Sequence, residues 1–320
     1  MISPQALHYF AVGLAIALGA IGAGIGQGFA AFGSLRAVGI QLQGRDQIFR
    51  SMIIGLAFIE SGIILTLVIT LMLLFGQTTK INEGIAIAEI GIALMIGLSS
   101  TVISIASSFA VSASANSISR QPIFANKILT FMLVSQSLIE ASIIFSFVIS
   151  LLIVANFSLI VDFYIGFKYF CAALVMMLGS IGPGIGQGIF ANSSCASIGM
   201  NRDAYPKLFP FSIINGAVIE TPLIFSLLTS LLIIYLPITS GDYFTNSVVL
   251  LTAAFTIGIG SIGPSISNGL VGSKSVMQIV YNPDNYAALF RSNILAQAFI
   301  ESAAIYCLII SLTLLTVFIK

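Results

Sequence analysis

Long apolar stretches alternate with short polar ones along this chain. Eight apolar stretches, each longer than the roughly 20 residues that carry a helix across a bilayer, predict helices near 5–38, 48–75, 84–116, 126–154, 166–199, 208–235, 246–277 and 288–318. The polar segments QLQGRDQ, SRQPIFANK, NRDAYPK and YNPDNY are short, so each forces the two helices it joins to lie antiparallel. Segments such as GQTTKIN and PITSGDYFTN are read as turns at the opposite face. The expected fold class is an all-α membrane protein, with eight transmembrane helices arranged as four tandem helical hairpins. The hairpin units are placed at 1–78, 79–158, 159–239 and 240–320.

The hairpins are copies of one another. The strings GLAFIES, SQSLIEA, NGAVIET and AQAFIES put a glutamate in the second helix of each, at Glu60, Glu140, Glu220 and Glu301, spaced by 80, 80 and 81 residues. The first helices carry a small-residue run: GAGIGQG at Gly22, SIASS at Ser104, GPGIGQG at Gly182 and GPSISNG at Gly263. Small residues four apart let helix backbones approach closely, an important source of association in lipid. The first helices are therefore expected to stand side by side.

The residue 33 positions before each glutamate is Gln27, Ser107, Gln187 or Asn268, polar every time. The midpoint of each such pair falls in the hairpin loop, so its two members lie at one depth, about thirteen helical residues or roughly 20 Å from the turn. A carboxylate there costs several kcal/mol, on the order of the penalty for an ionised group in hydrocarbon, unless it is neutralised. It must hold a proton or coordinate a cation. One such glutamate could serve as an interhelical hydrogen-bond donor, but four at one register point to ion carriage.

Composition sharpens the picture: 58% of residues are hydrophobic and 7% charged, against roughly 25% charged in soluble domains. The net charge of +1 comes without a basic block, which gives no reason to expect a nucleic-acid partner. Arg36, Arg45, Arg50, Arg120, Lys127, Arg202, Lys207, Lys274 and Arg291 lie in or beside the loops within hairpins, whereas Lys80, Lys168 and Lys320 lie toward the other face. That bias puts the intra-hairpin loops in the cytoplasm and both termini outside. Cys171, Cys195 and Cys307 lack metal-ligand spacing and read as packing residues. The amino-terminal stretch reads as the first membrane helix rather than a secretory signal. His8 at its start is expected near the head groups, with no assigned role.

A helix with G-x-G-x-G-Q-G, a short polar loop with R-Q-P and a second helix with a central glutamate resembles the c subunit of F-type ATP synthases. The resemblance runs over the chain four times. R-Q-P stands intact only at Arg120, Gln121 and Pro122; the aligned triplets are Ile40-Gln41-Leu42, Met200-Asn201-Arg202 and Tyr281-Asn282-Pro283. The resemblance implies a non-catalytic component, part of a rotor ring built with other copies of itself. It further implies a stator a subunit in the membrane, central-stalk subunits at the cytoplasmic loops, surrounding lipid, and a bacterial-type inner or plasma membrane. No cofactor is implied beyond the transported proton or sodium ion.

In sodium-carrying members of that family the ion is held by the glutamate, the first-helix glutamine, a hydroxyl just after the glutamate and the carbonyl two residues before it. Here the hydroxyl position reads Ser61, Ala141, Thr221 and Ser302. Taken hairpin by hairpin, this makes Glu60, Glu220 and Glu301 possible sodium sites, and Glu140, with Ser107 and Ala141, a proton site. The alternative for the hydroxyls is a bond back to the preceding helical turn. In the ring that the resemblance implies, neighbouring hairpins share a site, so no site is fixed by its own hairpin; the unit with fewest ligands tips the reading toward protons. The nearest rival is a proteolipid of a V- or A-type rotary ATPase, in which some carboxylates are often lost; all four are present here. A secondary transporter built from repeats would need discontinuous helices and a substrate cavity. Nothing in the sequence pairs a nucleophile with a base or forms a P-loop, so an enzyme is the weakest reading.

Overall fold

The computed structural model describes residues 3–76, 81–237 and 243–318. Lys80, Lys320 and parts of the turns between hairpins lie outside them. The long helices are α1 (Pro4–Ile40), α2 (Arg45–Phe75), α3 (Glu83–Arg120), α4 (Ala125–Ala155), α5 (Phe163–Ile198), α6 (Tyr205–Tyr235), α7 (Tyr243–Gly260), α8 (Ile262–Tyr281) and α9 (Tyr286–Thr313). Together α7 and α8 form one span, so eight membrane-long spans make four hairpins. The protein is an integral membrane protein.

Local chemistry fixes the helix ends. Side-chain oxygens of Ser3, Asn82 and Asp162 accept from the backbone N–H groups of Ala6, Ile85 and Ile165, each satisfying a donor that the first helical turn leaves free. At the loop side, Gln41, Gln121, Asn201 and Asn282 all leave the helix with φ between −148° and −134°. A single three-residue 3₁₀ turn follows each: Leu42–Gly44, Pro122–Phe124, Arg202–Ala204 and Pro283–Asn285. The four loops therefore share one backbone path although only one keeps R-Q-P.

The first helices α1, α3, α5 and α7–α8 stand in a row in chain order; α2, α4 and α6 each sit between their own first helix and that of the next hairpin, and α9 packs on α7–α8 and α6. The first helices lie closer together than the second ones, because their contact faces carry glycine, alanine and serine. At Gly22 and Gly26 of α1, an added Cβ would strike the backbone of Thr101 and Ser104 on α3; at Gly186 of α5 it would strike that of Ser265 on α8. Such close approach is what small stripes permit. A row tight on one side and looser on the other curves, with the first helices on the concave side.

The stripe has two faces. Gly182 and Gly186 look toward the following hairpin at Ile262 and Ser265, whereas Gly184 and Gly188 look back at Val102 and Ala106 on α3. In the first hairpin the backward positions, Gly24 and Gly28, have nothing within 4 Å of an added Cβ, and the same holds for the forward position Gly263 in the fourth. Both ends of the row are open surfaces, one the counterpart of the other.

Two features depart from the sequence reading. The span expected as one helix over 246–277 breaks for one residue at Ser261. Pro264 has no N–H to give the carbonyl of Gly260, four residues back, and its ring crowds that carbonyl. Backbone bonds from Ser261 N to Ile257 O at 3.0 Å and from Ser265 N to Ser261 O at 3.3 Å carry the chain through, so no unwound segment forms. Pro183 occupies the matching place in α5, which stays continuous between neighbours on both sides. His8, to which the sequence assigns no role, is 4% exposed, its Nδ1 2.8 Å from Oε2 of fully buried Glu89 on α3. The close fit of α1 on α3 covers the imidazole, and the carboxylate partners it.

Candidate functional site

At the third hairpin the first-helix polar residue meets its glutamate: Gln187 Nε2 donates to Glu220 Oε1 at 3.3 Å and to the carbonyl of Gly216 at 2.8 Å. Gly216 lies against both neighbours: an added Cβ would overlap Leu138 Cδ1 and rest in van der Waals contact with the Gln187 amide.

At the second hairpin the partner comes from elsewhere. Ser61, on α2 of the first hairpin, places Oγ 2.8 Å from Glu140 Oε1 on α4 and 2.7 Å from the carbonyl of Phe58. A serine hydroxyl has a single hydrogen and two lone pairs. With Glu140 ionised, Ser61 donates to the carboxylate. With Glu140 protonated, the carboxyl O–H donates to Ser61 Oγ, which passes its own hydrogen to the Phe58 carbonyl. Both states satisfy every group involved. The same oxygens, from serine, carbonyl and carboxylate, are also hard-cation ligands. Ser107, level with Glu140 in its own hairpin, is buried with its hydroxyl unbonded. The expectation that the second hairpin's glutamate has no hydroxyl partner is thus altered: the hydroxyl belongs to its neighbour.

The fourth hairpin differs again. Asn268 is 0% exposed and neither atom of its amide has a hydrogen-bond partner; Glu301 Oε1 is likewise buried and unbonded. On the loop side of Glu301, between the third and fourth hairpins, lies a cluster of amides. Gln297 Nε2 donates to Asn215 Oδ1 at 2.7 Å, Asn293 Nδ2 to the same oxygen at 3.0 Å and to Gln297 Oε1 at 2.9 Å. Nothing in the sequence pattern singles out this cluster. Its residues occupy positions that are glycine, alanine, serine, leucine, methionine or glutamine in other hairpins, and only the packing of α6 on α9 brings all three together.

In the first hairpin Glu60 is exposed on the open end of the row, and Gln27 is partly buried beside the free glycines. Thr221 bonds back to Ala217 O at 3.4 Å and Ser302 to Phe299 O at 2.7 Å, so in these two the hydroxyl turns to its own helix. Cys171 and Cys195 are buried, Cys307 is partly so, and all three are free thiols.

Comparison with known proteins gives one consistent result. The profile of the ATP synthase c-subunit family matches four times, at residues 10–73, 90–153, 170–233 and 251–314. Among similar proteins, the ATP synthase c subunit of Dehalococcoides mccartyi is 49% identical over 69 residues, spanning 22% of this chain and 91% of its own length. A Cereibacter sphaeroides protein, the second of that organism's ATP synthase c subunits, is 41% identical over 66 residues, 21% of this chain and 80% of its own. The ATP synthase c subunit of Prochlorococcus marinus is 45% identical over 73 residues, 23% and 90% respectively. Each relative is thus about one hairpin long.

Proposed function

From the premise that this chain belongs to the ATP synthase c-subunit family, with four copies of the family's unit in one polypeptide, we propose that it is the ion-carrying rotor of an F-type ATP synthase. Copies of the chain close into a ring whose glutamates Glu60, Glu140, Glu220 and Glu301 each take up one ion, carry it round and release it at a stator a subunit. The ring is itself non-catalytic; the ATP chemistry sits on other subunits, reached through the central stalk at the intra-hairpin loops. Those loops face the cytoplasm, in line with their lysines and arginines.

The observation that carries this reading is the bond from Ser61 to Glu140 across a hairpin boundary. A carboxylate kept for helix association alone needs no partner able to serve it both protonated and ionised. Extending that bond by the repeat gives each glutamate the hydroxyl position of the hairpin before it. Glu140 then has Ser61 and Ser107, Glu220 has Ala141 and Gln187, and Glu301 has Thr221 and Asn268. Glu60 has Gln27 and, from the next copy, a residue equivalent to Ser302. In this scheme Glu220 rather than Glu140 lacks a hydroxyl. A rotor must accept one ion at every site, and a site made of carboxyl and amide suits a proton better than sodium, so the ion is the proton. Retention of all four carboxylates favours synthesis over the pumping role of V- and A-type relatives.

The test is carbodiimide labelling of the purified ring, read peptide by peptide, with and without sodium at one pH. Labelling of all four glutamates, unaffected by sodium, is the expected result. Protection by sodium overturns the proton assignment, and an unreactive set of glutamates overturns ion carriage.

A further inference from the structure

The site at Glu301 is built differently from the one at Glu220, and one difference is a single methylene. In the third hairpin the Gln187 amide reaches Glu220 at 3.3 Å. Asn268 stands at the same register but its side chain is shorter by one carbon, about 1.5 Å, the length of a C–C bond. Its amide accordingly ends roughly 4.5–5 Å short of a carboxylate so placed, too far for a direct bond and about the span of one molecule that hydrogen-bonds at both sides. Three further facts bear on this gap. Asn268 is fully buried with both amide atoms unbonded, and Glu301 Oε1 is buried and unbonded. The neighbouring Ser265 hydroxyl and the Asn215 Nδ2 are also buried without partners. Unpaired buried polar atoms are costly, so a cluster of them is the setting in which a buried water, with its two to four bonds, is stabilised. On the second helix Gln297 stands where the third hairpin has Gly216, and its amide is already engaged: Nε2 donates to Asn215 Oδ1 at 2.7 Å and to the backbone carbonyl of Asn268 at 3.4 Å, and Oε1 accepts from Asn293 Nδ2.

We propose that a buried water bridges Asn268 to Glu301, making the fourth ion site a hydrated one, in contrast to the directly bonded site at Glu220. The water accepts from Asn268 Nδ2–H and donates to Glu301 Oε1 when the glutamate is ionised. When the glutamate is protonated the water turns, accepting from the carboxyl and donating to Asn268 Oδ1. An amide offers both a donor and an acceptor, which is why asparagine fits this role where leucine or alanine would not. This inference deepens the ion-carrying reading of Glu301 and rests on it for the two protonation states.

The experiment is a density map of the intact ring, at a resolution that shows ordered water, from preparations made with and without sodium, for the natural chain and for Asn268→Gln. The expected result is a peak within hydrogen-bond distance of both Asn268 and Glu301, present in both preparations and lost in Asn268→Gln, where the longer amide contacts Glu301 directly. A peak seen only with sodium marks a cation and overturns the water bridge, as does direct contact of Asn268 with Glu301 in the natural ring. If Asn268→Gln fails to assemble, the natural map decides alone. The map reads the water without any transport measurement. A bridged Glu301 in a ring that neither reacts with carbodiimide nor moves ions would therefore defeat the ion-carrying reading and leave the water in place.

Discussion

Ser61 and Glu140, residues of different hairpins, meet at 2.8 Å. The hydroxyl of one repeat thus serves the carboxylate of the next. Replacing it tests whether the partnership matters for ion choice or only for packing. Under the proton reading, Ser61→Ala is expected to leave ion-driven ATP synthesis running, with the rate reduced several-fold at most and Glu140 still reactive to carbodiimide. Abolished synthesis together with sodium-sensitive labelling in the natural ring would mark the serine as an obligatory cation ligand.

Glutamine in place of any one glutamate removes the group that binds and releases the ion. Every chain in a ring then carries a dead site, and a rotor cannot skip it. Synthesis by reconstituted Glu140→Gln enzyme is expected to fall by about two orders of magnitude or more, a loss of at least ~2.7 kcal/mol in effective barrier terms. An undiminished rate, measured under an imposed proton gradient, would rule out a shared rotor.

The two faces of the glycine stripe separate folding of the chain from assembly of the ring. Gly186→Leu drives side-chain atoms into the backbone of Ser265 within the same chain, and is expected to lower the yield of folded protein. Gly24→Leu meets nothing within the chain. It is expected to insert and fold normally but to remain a single chain by native mass spectrometry. Normal rings from Gly24→Leu would show that this open face is not where copies join.

The His8–Glu89 pair makes a prediction about stability rather than transport. Removing one member of a buried pair lowers stability, whereas replacing both by apolar residues is often neutral. His8→Leu should therefore lower the detergent-solubilised melting temperature, and His8→Leu combined with Glu89→Leu should recover much of the loss. Equal melting temperatures for His8→Leu and the natural chain would mean that the pair contributes little.

Fusion also constrains ring size. If this chain alone forms the rotor, the number of hairpins is a multiple of four, and twelve hairpins from three chains of 33.7 kDa is the expected count. Native mass spectrometry reads it directly. A hairpin number not divisible by four requires a separate single-hairpin subunit beside this chain.

The fold is more legible in the sequence than the sites are. An 80-residue repeat of apolar pairs with a glutamate in each second helix reveals the hairpins and the level pairing that joins Gln187 to Glu220. It does not reveal which hairpin's hydroxyl approaches Glu140, because Ser61 and Glu140 are 79 positions apart and meet only once the hairpins stand in a row. The amide cluster is equally silent: Asn293 and Gln297 stand one turn apart on α9, and Asn215 joins them only when α6 packs against it. His8 shows no role in the sequence because its partner is 81 residues away on another helix. Pro264 foreshadows the break at Ser261, but Pro183 carries the same signal in an unbroken helix, so the surroundings decide.

The hairpin loops do more than turn the chain. Gln121 donates to the carbonyl of Gly199 at 3.2 Å, Asn201 to that of Val280 at 3.1 Å, and Lys207 Nζ to that of Pro283 at 2.8 Å, each bond tying one loop to the next. Linked in this way, the second, third and fourth loops form a belt. A sideways pull on one of them is shared along the row before it bends any single helix pair, and the belt should be most compliant where non-covalent seams between chains interrupt it.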